Sequence, residues 1–74
     1  MKNVEIYTKS TCGYCHAAKR LLTSKGVRFS DISLSQKPDM LSEMVERSNG
    51  GRTVPQIFIG DTHVGGCDEL FALD

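Results

Sequence analysis

The chain has 74 residues, of which 39% are hydrophobic and 24% are charged, and its nine basic and nine acidic side chains give a net charge of zero. This composition indicates one small globular domain over residues 1–74, with no nucleic-acid partner, because the positive charges are dispersed and aromatic residues are few. No apolar run approaches the roughly 20 residues that span a bilayer, and the N-terminus lacks the apolar stretch of a signal peptide. Three cysteines, an odd number, argue against a disulfide-stapled secreted scaffold. We expect a cytoplasmic protein without a membrane partner, and a monomer.

The first half of the chain predicts a strand, a helix and a second strand. Val4 and Ile6 fall on one face of a strand over residues 3–7, and a loop leads to a helix over 13–25 in which apolar residues recur four apart. Gly26 is placed to end that helix, and a strand over 27–32 follows at once. A strand–helix–strand unit of this length predicts two parallel strands with a right-handed crossover.

The second half predicts a helix, a hairpin and a last helix. These elements are a helix over 38–48, a strand over 53–59, a strand over 62–64 and a helix over 67–74. Pro38 suits a first helical turn, and Asn49-Gly50-Gly51 ends that helix with residues that tolerate positive φ. Gly60-Asp61 forms a tight turn between the two strands, and Gly65-Gly66 separates the hairpin from the last helix.

Cys12-Gly13-Tyr14-Cys15 stands where the first helix begins after a strand. Thiols three residues apart on a helix share a face and can close a small disulfide and reopen it. Cys12 also meets the positive end of the helix dipole, which favours a thiolate, so the pattern predicts thiol–disulfide exchange. The alternative is a zinc site, for which Cys12, Cys15, His63 and Cys67 supply four ligands on paper. Zinc-binding cysteine pairs usually sit on knuckles and not at a helix start, which favours the redox interpretation.

Two further segments carry chemistry. Pro55 opens the third strand and has no N–H for the ladder, and local sequence favours a trans Val54–Pro55 bond. Free N–H groups of Cys67 and Asp68, at the start of the last helix, predict a carboxylate site. The Asp68 carboxylate either caps that helix or meets an ammonium group.

Together these segments resemble the glutaredoxins, specifically the small dithiol class of bacteria. The resemblance rests on Tyr7-Thr8-Lys9 leading into Cys12-Gly13-Tyr14-Cys15, on Arg52-Thr53-Val54-Pro55 and on Gly65-Gly66-Cys67-Asp68, in this order and at these separations. It implies an α/β, thioredoxin-like fold with a four-stranded mixed sheet in the order 2-1-3-4, flanked by three helices. It also implies a cis Val54–Pro55 bond and glutathione as reductant, with no permanently bound cofactor and no metal.

The resemblance assigns roles to individual residues. Cys12 is the nucleophile and Cys15, which should be more buried, is the resolving thiol, and the two form the redox-active disulfide. The γ-glutamyl end of glutathione would meet Cys67 and Asp68, its cysteinyl backbone Val54, and its glycine carboxylate Lys9. The full implied glutathione site is Lys9, Tyr14, Arg52, Thr53, Val54, Pro55, Gly66, Cys67 and Asp68. The expected partners are glutathione and proteins that are glutathionylated or carry disulfides.

The chain departs from the family pattern in two places. Most dithiol members carry Pro where this chain has Gly13, and typical members extend the last helix beyond the position of Asp74. Some glutaredoxins with Gly at that position hold a [2Fe–2S] cluster between two subunits, with the nucleophilic cysteine and glutathione as ligands, so a cluster-binding dimer is an alternative. A thioredoxin is a second alternative, but that motif has Trp before its first cysteine and this chain has Thr11 and no Trp.

Overall fold

The computed structural model describes residues 3–72. Its elements are β1 (Val4–Thr8), α1 (Gly13–Ser24), β2 (Ser30–Ser33), a 3₁₀ turn (Pro38–Met40), α2 (Leu41–Arg47), β3 (Gln56–Ile59), β4 (Thr62–Gly65) and α3 (Cys67–Ala72). The sheet order is β2-β1-β3-β4, with β1 parallel to β2 and antiparallel to β3, which confirms the predicted topology. The predicted end of the last helix, residues 73 and 74, lies outside the described residues. No helix within residues 3–72 is long and apolar enough to cross a membrane.

The central strand β1 is buried on both faces. Ile6 and Tyr7 are adjacent, so their side chains point to opposite sides of the sheet, and neither has exposed surface. One core cluster, on the side of α1 and α3, contains Ile6, Ala18, Leu22, Ile57, Cys67 and Leu70. The other, on the side of α2, contains Tyr7, Leu34, Met44 and Phe58. The sheet is therefore the middle of three layers.

Helix α1 ends as predicted, but the following strand begins later than predicted. Gly26 has φ of +70°, its N–H donates to the Thr23 carbonyl at 3.0 Å, and the Val27 N–H donates to the Leu22 carbonyl at 3.0 Å. The prediction of a strand from residue 27 is wrong by three residues, because the first rung with β1 pairs Ser30 with Glu5. Residues 27–29 instead place two apolar side chains against the core cluster on the α1 side.

The third predicted strand is shortened at its start. The ladder begins at Gln56 and not at residue 53, since Pro55 has no N–H to donate to a neighbouring strand. Residues 53–55 are therefore a loop that precedes β3, at the end of that strand that faces the N-terminus of α1. Helix α2 also departs slightly from its predicted start, because Pro38 opens a 3₁₀ turn that leads into the α-helix at Leu41. The helix ends as predicted, with positive φ at Asn49 and Gly50.

Arg47 links α2 to the sheet in a way that the sequence did not predict. Its guanidinium donates to the Tyr7 hydroxyl at 2.8 Å and to the Glu5 carboxylate at 3.0 Å. The Tyr7 hydroxyl donates in turn to Glu43 at 2.9 Å, and the guanidinium carbon lies 4.2 Å from the centre of the Phe58 ring. The buried tyrosine hydroxyl is thus fully paired, which burial of a polar group in a core requires.

Candidate active site

Cys12 occupies the N-cap position of α1. Its backbone is extended, with φ of −97° and ψ of 111°, and its Sγ accepts the backbone N–H of Cys15 at 3.1 Å. The sulfur therefore takes the place that a serine or aspartate oxygen takes at most helix N-caps. The Cys12 N–H donates to the Lys9 carbonyl at 3.2 Å, which fixes the loop before the helix. The Cys12 sulfur is thus partly exposed and lies at the N-terminus of α1, where it accepts a backbone N–H.

Cys15 lies one turn further along α1 and has no exposed surface, as predicted. Burial raises the pKa of the Cys15 thiol to about 12, with a further rise from its interaction with Cys12, while Lys19 acts in the opposite direction. The two thiols of one motif therefore differ in exposure. Cys15 is protonated at neutral pH, and Cys12 is the sulfur that solvent and substrates can reach.

The loop over residues 53–55 lies against Cys12. The Val54–Pro55 bond is cis, which confirms the expectation drawn from the resemblance and not the one drawn from local sequence. The Val54 carbonyl oxygen is 3.7 Å from Cys12 Sγ, within reach of the thiol hydrogen. This contact joins two segments 42 residues apart in the chain.

A cavity of about 250 Å³ opens beside this contact. It is lined by Tyr14, Thr53, Val54, Pro55, Gly66, Cys67, Asp68 and Glu69. Seven of the nine residues predicted for ligand binding therefore share one pocket. The other two, Lys9 and Arg52, are exposed cations outside its lining.

Similarity to known proteins identifies the family. A glutaredoxin family model matches residues 4–64. The chain belongs to the glutaredoxin family. It is 58% identical to Glutaredoxin 3 of Escherichia coli (strain K12) over 74 residues, which are all of this chain and 88% of that protein. It is 51% identical to a glutaredoxin of Pseudomonas aeruginosa over 74 residues, covering 87% of that protein. The chain is accordingly an enzyme of the glutaredoxin class of thiol oxidoreductases.

Solved glutaredoxin structures share the fold. The solution structure of glutaredoxin from Brucella melitensis superposes with a TM-score of 0.81 at 53% identity, over 99% of this chain and 78% of that one. The crystal structure of a buckwheat glutaredoxin–glutathione complex superposes with a TM-score of 0.86 at 35% identity, over 96% of this chain and 66% of that one. The predicted thioredoxin-like fold is therefore confirmed.

Glu69 is a pocket residue of this glutaredoxin that the sequence reasoning missed. Its carboxylate accepts the Gly66 N–H at 3.0 Å, so Glu69 closes the N-terminus of α3 from the third helical position. The alternative in which Asp68 caps α3 is wrong, and among residues 3–72 the Asp68 carboxylate has no hydrogen-bond partner. The signal was present, since a Glu three residues after a helix-starting position is half of a capping box.

Among the described residues, the four side chains of the zinc alternative do not form one group. His63 Nε2 is 2.6 Å from Gln56 Oε1, and its ring stacks on Phe58 with centroids 4.9 Å apart. In the described part of the chain, no three His, Cys, Asp or Glu side chains are grouped closely enough to hold a metal ion. Cys67 is buried in the core, and burial, together with the nearby Asp68 carboxylate, raises the pKa of its thiol.

A polar cluster below α1 was also not predicted. Asp31 on β2 accepts the buried Thr8 hydroxyl at 2.6 Å and pairs with Lys19 at 2.9 Å. Partial burial opposes ionisation of Asp31, but the hydrogen bonds from Lys19 and Thr8 outweigh it and lower the pKa of the carboxyl. The cluster ties α1 to the edge strand β2 near the end of β1 that leads to Cys12.

Proposed function

We propose that this glutaredoxin reduces protein disulfides and glutathione mixed disulfides through Cys12 and Cys15, with glutathione as reductant. One observation carries the proposal: the partly exposed N-cap sulfur contacts the loop that forms one wall of a pocket of about 250 Å³. A nucleophile and a binding site for the molecule it attacks are therefore adjacent. Proximity of this kind converts a bimolecular attack into one with the reacting atoms already placed.

The chemistry of the pocket matches glutathione. The γ-glutamyl group carries an ammonium and a carboxylate, and the pocket offers the Asp68 carboxylate beside the backbone N–H groups of Cys67 and Asp68. Those N–H groups are in the first turn of α3, where no intrahelical acceptor exists. The cysteinyl backbone fits against Val54, next to Cys12. The buckwheat glutaredoxin that superposes on this chain is a glutathione complex, which supports the same ligand here.

The exposed cations Lys9 and Arg52 complete the proposed site. Both lie outside the pocket lining, on segments that border Cys12 and the cis-proline loop. Long basic side chains at a pocket rim attract an anionic ligand without enclosing it. We assign them the glycine carboxylate of glutathione.

The monothiol route uses Cys12 alone. Its thiolate attacks the glutathionyl sulfur of a mixed disulfide, the S–S bond breaks, and the target thiolate leaves and takes up a proton. Cys12 then carries glutathione. A second glutathione thiolate attacks that glutathionyl sulfur, which releases oxidised glutathione and restores the Cys12 thiolate.

The dithiol route adds Cys15. Cys12 attacks a protein disulfide and forms a mixed disulfide, and Cys15 then attacks Cys12 Sγ, so that the substrate thiolate leaves and a Cys12–Cys15 disulfide remains. Two glutathione molecules reduce this disulfide. Because its interaction with Cys12 helps to raise the pKa of Cys15, conversion of Cys12 to an uncharged mixed disulfide makes Cys15 easier to deprotonate at the step that needs it.

Two serine variants test the assignment and serve as matched controls for each other. Cys12→Ser should abolish turnover of both a glutathionylated peptide and a protein disulfide. Cys15→Ser should retain turnover of the glutathionylated peptide and lose the dithiol route. Glutathione, and not thioredoxin reductase, should support both reactions in the wild type. Full activity of Cys12→Ser would overturn the proposal.

A further inference from the structure

A line of hydrogen bonds connects β4 to the wall of the pocket. His63 Nε2 is 2.6 Å from Gln56 Oε1, and Gln56 Nε2 donates to Thr53 Oγ1 at 3.4 Å. Gln56 is only 6% exposed, whereas Thr53 lines the pocket. A buried amide thus joins a strand residue outside the pocket to a hydroxyl inside it.

The amide of Gln56 is enclosed from several sides. The His63 ring that faces it is stacked on Phe58 at an interplanar angle of 28°. On another side, Gly51 lies so close that a Cβ atom there would come within 2.9 Å of Gln56 Nε2. Because these neighbours restrict the amide, its donor end and its acceptor end have fixed directions.

The direction of the amide determines what the Thr53 hydroxyl does. The His63 N–H occupies the acceptor end of Gln56, so the donor end faces Thr53 Oγ1. Thr53 then accepts through its oxygen, and its own hydrogen remains available to a ligand in the pocket. Glutathione presents carboxylate and carbonyl oxygens, which are acceptors for such a donor.

We propose that Gln56, anchored by His63, is a positioning residue that orients the Thr53 hydroxyl toward the bound glutathionyl group. This proposal rests on the proposed function and adds two residues, Gln56 and His63, that do not themselves line the pocket. Gln56 acts only through Thr53, so its contribution must disappear when the hydroxyl is removed.

A double-mutant cycle tests that dependence. Gln56→Met and Thr53→Val each preserve shape and remove the polar group. Steady-state turnover of a glutathionylated peptide by glutathione gives kcat and KM separately. Each single variant should raise KM for the peptide about two- to tenfold, the value of one hydrogen bond, with kcat within about twofold. The double variant should have the KM of Thr53→Val alone.

His63→Phe keeps the experiment decisive if the buried Gln56→Met variant folds poorly. Phenylalanine retains the stack on Phe58 and removes the N–H, so KM should rise in the same direction and by less than in Gln56→Met. Thr62→Val on the same strand is the matched control and should leave KM unchanged. Thermal unfolding of each variant separates loss of orientation from loss of stability.

Three results would overturn the inference. They are an unchanged KM in both Gln56→Met and His63→Phe, a KM in the double variant raised by the product of the two single-variant factors, and a decrease in kcat with no change in KM. Failure of the proposed function has a different signature, which is turnover that persists in Cys12→Ser. The two outcomes are therefore distinguishable on the same assay.

Discussion

The Cys15 thiol should resist alkylation over the whole pH range in which Cys12 reacts. Only the thiolate attacks iodoacetamide, so the rate at each thiol follows its thiolate fraction and its accessibility. With a pKa of about 12, Cys15 is about one part in ten thousand thiolate at pH 8, against about a quarter for a free cysteine of pKa about 8.5. Charge alone therefore slows Cys15 roughly two-thousandfold relative to a free thiol. The absence of exposed surface slows it further.

The measurement is a time course of iodoacetamide labelling at pH 7, 8 and 9, followed by peptide mapping of each cysteine. Cys12 should be labelled first and alone. In Cys12→Ser the interaction that contributes to the raised pKa is weakened, so Cys15 should label faster than in the wild type, yet still slowly because burial remains. A Cys15 rate within tenfold of the Cys12 rate at pH 8 would refute this account of the pair.

Three further changes test the scaffold. Arg47→Met removes the hydrogen bond to Glu5 and should lower the free energy of unfolding by about 1–2 kcal/mol, which corresponds to a melting temperature lower by about 4–16 °C. An unchanged melting temperature would contradict the role of this partly exposed arginine. Gly13→Pro should raise the free energy of urea unfolding by about 0.4–1 kcal/mol, because Gly13 opens α1 and open space surrounds its Cβ direction; a decrease would refute that reasoning. Glu69→Ala should cost about 1 kcal/mol through the lost Gly66 contact, whereas Glu69→Gln keeps an acceptor and should cost less than half as much.

The sequence predicted features whose causes are local. Gly26 ends α1 because only a residue that tolerates positive φ closes that helix, and the Gly60-Asp61 turn fixes the hairpin for a similar reason. The cis bond before Pro55 was predicted only through the family resemblance. Local chemistry favoured the trans form.

Features that depend on distant partners were not predictable from the sequence. The start of β2 at Ser30 depends on its register with β1, and the Arg47 contacts join residues about 40 positions apart. Lys9 and Arg52 were placed with the ligand-binding residues through the family resemblance, but neither lines the pocket. Glu69 differs from these residues, because its contact with the Gly66 N–H is local and follows the spacing of a capping box.

The sheet register explains why the two halves of the site meet. Tyr7 pairs with Gln56 at the last rung of the antiparallel ladder of β1 and β3, so the chain that leaves β1 toward Cys12 starts beside the chain that enters β3 from the loop over residues 53–55. The Lys9 carbonyl holds the Cys12 N–H at 3.2 Å, and the Val54 carbonyl lies 3.7 Å from the Cys12 sulfur. A slip of one residue would turn Gln56 to the other face and move Val54 along the strand. The burial of Tyr7 and Phe58 therefore does more than stabilise the sheet, because it fixes the register that brings the nucleophile to its pocket.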